Sequence, residues 1–96
     1  MIPEDEFVQR GCRILGIDVE DIRSRSRGQD VVTGRELLLV LSVERYGLKV
    51  KEMADQLGQS PSGSSKALAR GIQKRQCDAG FRKMLDDLDG RLAETT

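Results

Sequence analysis

Apolar residues return along this chain at intervals of three and four, the spacing that gathers them on one side of an α-helix. The first such stretch runs from Pro3 to Leu15, with Phe7, Val8, Cys12 and Leu15 on the inward side. Proline near the start suits a first helical turn, and Glu4, Asp5 and Glu6 suit the positive end of the helix dipole. Gly11 weakens the middle of this pattern, and Gly16 is a plausible stop. A short helix follows, with Asp18 as its cap and Val19 and Ile22 pointing inward. From Asp30 to Tyr46 the pattern changes, because DVVTGRELLLVLSVERY is apolar on nearly every side. A helix of that kind is buried between other helices. Its β-branched residues leave a strand open, but a length of about 16 residues and the lack of a second strand candidate decide for helix. Asp30 is expected to cap this element and Gly47 to end it, with Arg35, Glu36, Glu44 and Arg45 at its solvent-facing corners.

Two further helices are expected between residues 50 and 74. Val50 to Leu57 buries Met53, Ala54 and Leu57, and Gly58 can take the left-handed conformation that ends a helix. Ser60 then offers a cap and Pro61 a first helical residue. Leu68 and Ile72 supply the apolar side of the second helix, leaving Ser62, Ser65, Lys66 and Arg70 outward. Two short helices around a turn of three to four residues form a helix-turn-helix, whose second helix can enter a DNA major groove. A last helix over about 79–93, capped by Asp78, carries Phe81, Met84, Leu85, Leu88 and Leu92 as an amphipathic stripe. That stripe either packs on the domain or forms a seam between two copies of the chain. The expectation is one all-α domain over 1–96 with five or six helices.

Composition narrows the classes. The 96 residues are 38% hydrophobic and 33% charged, which fits one soluble domain with a single core. No apolar run is long enough to cross a membrane, and the acidic N-terminus is unlike a signal peptide, so a cytoplasmic location is expected. Cys12 and Cys77 lie far apart and no histidine accompanies them, so neither a disulfide framework nor a zinc site is expected, and no cofactor is implied. With no histidine, nucleophile motif or phosphate-binding glycine loop, the sequence does not read as an enzyme.

Formal net charge is zero, yet the charges are unevenly placed. Residues 1–20 carry two basic and five acidic side chains, and 84–96 carry one and four. Residues 21–83 carry thirteen and seven, a net of +6. A basic middle between acidic ends is the asymmetry expected where one face meets phosphate, and it also fits a mixed solvated surface. The most basic loop is Ser24-Arg25-Ser26-Arg27-Gly28-Gln29. It could wrap a phosphate or push an arginine into a minor groove, or be a linker paired with Asp21 and Asp30.

Taken in order, these pieces resemble the C-terminal DNA-binding domain of the bacterial chromosomal replication initiator, a Trp-repressor-like fold. The likeness spans roughly residues 18 to 75. It rests on Arg23-Ser24-Arg25-Ser26-Arg27, on Gly34-Arg35-Glu36-Leu37 opening the long helix, on Gly47-Leu48-Lys49-Val50-Lys51-Glu52-Met53, and on Leu57-Gly58 before the turn. The version of this domain at the C-terminus of transposases associated with repetitive extragenic palindromes is more similar still. The resemblance implies an accessory domain, without a catalytic half, acting on bacterial nucleoid DNA. It implies an arginine in the minor groove, at the place of Arg27, and major-groove reading from the Ser60–Arg70 region. The initiator's arginine-aspartate-histidine-threonine signature is absent, replaced by Gln59-Ser60-Pro61-Ser62-Gly63-Ser64-Ser65, so its target sequence does not carry over. Ser64 also stands where related modules place a buried aliphatic residue.

The expected contacts to double-stranded DNA divide by chemistry. Arg25, Arg27, Arg35, Lys49 and Lys51 would neutralise phosphates. Ser60, Ser62, Ser65 and Lys66 would approach the groove, Arg70 would meet a guanine or a phosphate, and Gly63 would let the backbone come close. Phe7, Tyr46 and Phe81 sit at buried helical positions and offer no stacking platform for single strands. The rival reading is a helical protein-interaction module that dimerises through Phe81, Met84, Leu85, Leu88 and Leu92.

Overall fold

A computed structural model describes residues 2–24 and 28–94, and every described element is helical. The order is α1 (Glu4–Leu15), α2 (Val19–Arg23), α3 (Gln29–Glu44), α4 (Val50–Gln56), α5 (Pro61–Cys77) and α6 (Ala79–Glu94). This is the all-α, six-helix domain expected. None of the described helices is long and apolar enough to cross a membrane.

Helix α3 is the axis of the domain. Leu37, Leu38, Leu39, Val40 and Leu41 are all buried, because α1, α2, α4, α5 and α6 each pack against it. Leu38 fills the space opposite Gly11, where a Cβ would collide with the leucine methyl. The glycine that weakens the helical pattern of α1 is therefore the point of close approach to α3. Phe7, Val8 and Cys12 complete the α1 contribution, and Phe7 meets Tyr46 edge-on at 5.1 Å. Burial pushes the Cys12 thiol up to about 11, so it stays protonated in the core, whereas Cys77 is exposed.

Helix ends mostly follow local chemistry, although Asp18 holds the cap position of α2 without a side-chain capping bond. Gly16 takes the left-handed conformation after α1, and Gly58 does so after α4. Ser60 accepts a hydrogen bond from the Gly63 N–H at 3.0 Å and Pro61 opens α5. Asp78 accepts from the Phe81 N–H at 3.2 Å as α6 begins. Asp30, expected to cap α3, does not. Gly28 holds the cap position instead, and Asp30 lies in the first turn.

Packing corrects one expectation about charge and decides between the two readings of the α6 stripe. Arg35 and Glu36 are not solvent-facing corners, being 6% and 1% exposed. A helix buried on every side leaves its mid-length charges no water to face, so they must find partners inside. The stripe Phe81, Leu85, Leu88 and Leu92 is not a seam between copies, because all four are buried in the chain's own core. Each such side chain contributes about 1.5–3 kcal/mol by burial. Only Met84 of that set remains exposed, at 44%.

Candidate nucleic-acid interface

Helices α4 and α5 meet through the four residues Leu57–Ser60, and α5 packs mainly on α3. The contact between α5 and α3 is made by small residues. Ser64, Ala67 and Gly71 are the buried ones, while Leu68 and Ile72, expected to be the apolar side, are half-buried at its flank. A Cβ at Gly71 would stand 2.6 Å from Val40 Cγ2 and 3.2 Å from the Glu36 carbonyl oxygen. The missing side chains let α5 lie close on α3. Ser64 keeps its place there because its hydroxyl donates to Gln59 Oε1 at 2.9 Å, which satisfies a group that an aliphatic residue would not carry.

Packing of that side turns the opposite side of α5 to solvent. Ser62, Ser65, Lys66, Ala69 and Gln73 are exposed there. This face is low, built from small and polar side chains, and α5 contains Lys66, Arg70, Lys74 and Arg75 but no acidic residue. Its first turn likewise carries no carboxylate, unlike those of α1 to α4, so nothing opposes an anion at its positive end. Lys66 has no ion pair among the described residues. Ser60 is exposed at the start of the helix with its hydroxyl accepting the capping bond. A Cβ at Gly63 would stand 3.2 Å from Ser60 Oγ, the acceptor of its own N–H.

Lys49 and Lys51 stand apart from this face by element but not by character. Lys49 occupies the cap position of α4 and Lys51 lies in its first turn, both exposed and without an ion pair among the described residues. Arg70 is different. It flanks the outer face, roughly a quarter turn from its centre at 100° per residue. Its Nε donates to Glu36 Oε2 at 3.1 Å, and Lys74 Nζ donates to Glu36 Oε1 at 2.6 Å. A buried carboxylate left without partners would cost roughly several kcal/mol. Two cations from α5 neutralise this one, and in return it fixes their direction.

Arg35 is withdrawn from the phosphate contacts. Its Nε donates to the Ile22 carbonyl at 2.9 Å, and Nη2 to those of Ser24 at 2.5 Å and Asp21 at 3.3 Å. Those carbonyls end the short helix α2, where the helix leaves such groups short of partners, although that of Asp21 also accepts from the Ser24 N–H and hydroxyl. Desolvation draws the guanidinium pKa down from its usual value. The residue caps α2 from within the core.

The same region explains how the basic loop is carried. Arg23 donates from Nε to the Gln56 carbonyl at 3.0 Å and from Nη2 to Gln56 Oε1 at 2.9 Å. Gly58 packs so closely on the Arg23 carbonyl that no Cβ could be accommodated, and its φ of +65° suits glycine independently. The end of α2 is thus fastened to the turn between α4 and α5. Arg25 and Arg27, both expected to meet phosphates and Arg27 to take the minor-groove place, lie outside the described residues. The segment holding them leaves from Ser24, one residue beyond that fastening, and returns at Gly28, the cap of α3.

Arg23, Glu36 and Lys74 were missed from sequence because their partners lie far off along the chain. The Arg23–Gln56 and Glu36–Lys74 separations are 33 and 38 residues, so no local pattern marks them. No family model matches the chain, and no curated protein or solved structure matches it either.

Proposed function

We propose that this chain is a helix-turn-helix domain that binds double-stranded DNA, with α5 in the major groove and the 25–27 segment against the adjacent backbone or minor groove. The observation that carries the reading is the junction of Arg23 with Gln56 and Gly58. It starts an arginine-rich segment beside the turn that leads into an acid-free, outward-facing helix. The chain therefore enters the arginine-rich segment beside the turn that leads into α5.

Chemistry assigns the roles. Lys49, Lys51, Arg25 and Arg27 act on phosphates, where binding weakens as salt rises because counterions are released. Ser62 and Ser65 accept or donate to base edges with little discrimination, and Lys66 reaches guanine acceptors or a phosphate. Small side chains allow the helix to lie deep in the groove. Support for the setting comes from the resemblance of the sequence over roughly residues 18 to 75 to the replication initiator's C-terminal domain and to its counterpart in transposases associated with repetitive extragenic palindromes. We infer the same setting, an accessory DNA-binding module acting on bacterial nucleoid DNA.

The test is fluorescence anisotropy with a labelled mixed-sequence duplex at low and moderate salt. Micromolar binding that weakens with salt is expected, and Arg27→Ala combined with Lys66→Ala lowers affinity several-fold. Absence of binding at low salt would refute the reading.

A further inference from the structure

Between α5 and the start of α3 lies an open cleft of about 380 Å³, lined by Val32, Arg35, Gln59, Ala67 and Arg70. Val32 and Ala67 are its apolar walls. Its three polar residues all bring N–H groups, and two of them bring positive charge. Arg35 is held immobile by the carbonyls of α2. Arg70 is anchored through Nε alone, while its side chain stays 56% exposed and its two terminal nitrogens have no partner among the described residues. Gln59 accepts from the Ser64 hydroxyl through Oε1, which leaves its amide N–H groups without a partner among the described residues. Both oxygens of Glu36, the carboxylate that holds Arg70, are already taken by cations.

We propose that this cleft seats one phosphodiester of the duplex backbone. The proposal rests on the DNA-binding reading and deepens it by assigning a phosphate contact away from the outer face of α5. A phosphate oxygen there meets the open fork of Arg70, a geometry that guanidinium groups favour, and the amide of Gln59. The fixed charge of Arg35 adds attraction without direct contact. Glu36 serves as a positioning residue, since its bond to Nε sets where the fork points. Arg70 is then a backbone contact that fixes register, and base reading is left to Ser62, Ser65 and Lys66.

The experiment uses the full chain labelled with ¹⁵N, following the Gln59 side-chain amide and the Arg70 Nε–H. Both resonances shift in step with micromolar mixed-sequence duplex, whereas inorganic phosphate shifts them only at many millimolar. Arg70→Gln reduces the slope of log affinity against log salt by about 0.9, the share of one phosphate. Gln59→Glu keeps the acceptor for Ser64 but places a carboxylate in the seat, weakening binding by roughly tenfold. If Arg70→Gln does not fold, as circular dichroism would reveal, the wild-type resonances and Gln59→Glu decide alone. Duplex binding with both resonances unmoved overturns the seat and leaves the DNA reading standing. No duplex binding at all overturns both. Saturation by micromolar inorganic phosphate overturns the diester assignment in favour of a small-anion site.

Discussion

Helices α5 and α6 are nearly equal in length, at 17 and 16 residues, and each buries one side in the same core. Their outer sides differ. Helix α6 mixes Arg82, Lys83 and Arg91 with Asp86, Asp87, Asp89 and Glu94, and some of these pair within the chain, as in Arg91–Asp87 and Arg45–Asp89. Helix α5 has four cations and no acid, and among the described residues its neutralisation comes from Glu36 and Glu44 on α3. The inner sides differ as well. Leucines and a phenylalanine seat α6, while a serine, an alanine and a glycine seat α5. One helix is held by bulk and presents a self-neutralised surface. The other is held by close approach and presents a surface without carboxylates, on which Lys66 has no ion pair among the described residues.

The largest effect expected from this contrast lies on α6. Leu88 has no exposure, and Leu88→Ala should cost about 2–5 kcal/mol through the cavity it leaves. Urea denaturation measures it, and light scattering should show a monomer before and after. On α5 the equivalent break is an addition. Gly71→Ala forces α5 off Val40 and the Glu36 backbone, at about 1–3 kcal/mol by the same assay.

Surface charge sharpens the comparison from the functional side. Lys66→Glu should weaken duplex binding by roughly tenfold at low salt while changing stability by less than about 0.5 kcal/mol. Lys83→Glu, the same change on the outer side of α6, should leave anisotropy titrations within about twofold of wild type. The smallest effect belongs to the pair Arg75–Glu44, which joins α5 to the end of α3. The hydrogen bond from Arg75 holds the Glu44 carboxyl below its usual 4.5. A carboxyl lowered on folding stabilises above that value and loses its contribution as pH falls through the folded one. Both side chains are about one-third exposed, so a double-mutant cycle at pH 7 should give roughly 0.2–1 kcal/mol, vanishing in acid.

What could be read from sequence was whatever chemistry is local. Gly58, Ser60 and Pro61 announce the end of one helix and the start of the next within four positions, and the α6 stripe is visible at one glance of spacing. Arg35 and Glu36 could not be read. Charge placed them in solvent, but α3 is buried all round, and the groups that satisfy them are the carbonyl ends of α2 and the cations of α5. Ser64 misled for a related reason. A small or polar residue on an inner face looks like a packing defect until its neighbour across the interface is known. The stripe on α6 was legible as apolar, yet whether it faced the chain's own core or a second copy depended on where α1 and α3 lie.

The central claim is that the outer side of α5, and not that of α6, meets the duplex. Thiol protection tests it most directly, in a Cys77→Ser background where the remaining Cys12 is buried. Ser65→Cys places a thiol on the outer side of α5, and Gly90→Cys places one on α6 with open space around it. With saturating duplex at low salt, alkylation at position 65 should slow by an order of magnitude or more, while the rate at position 90 stays unchanged. Equal rates at position 65 with and without bound duplex, or protection at position 90 alone, would contradict the account.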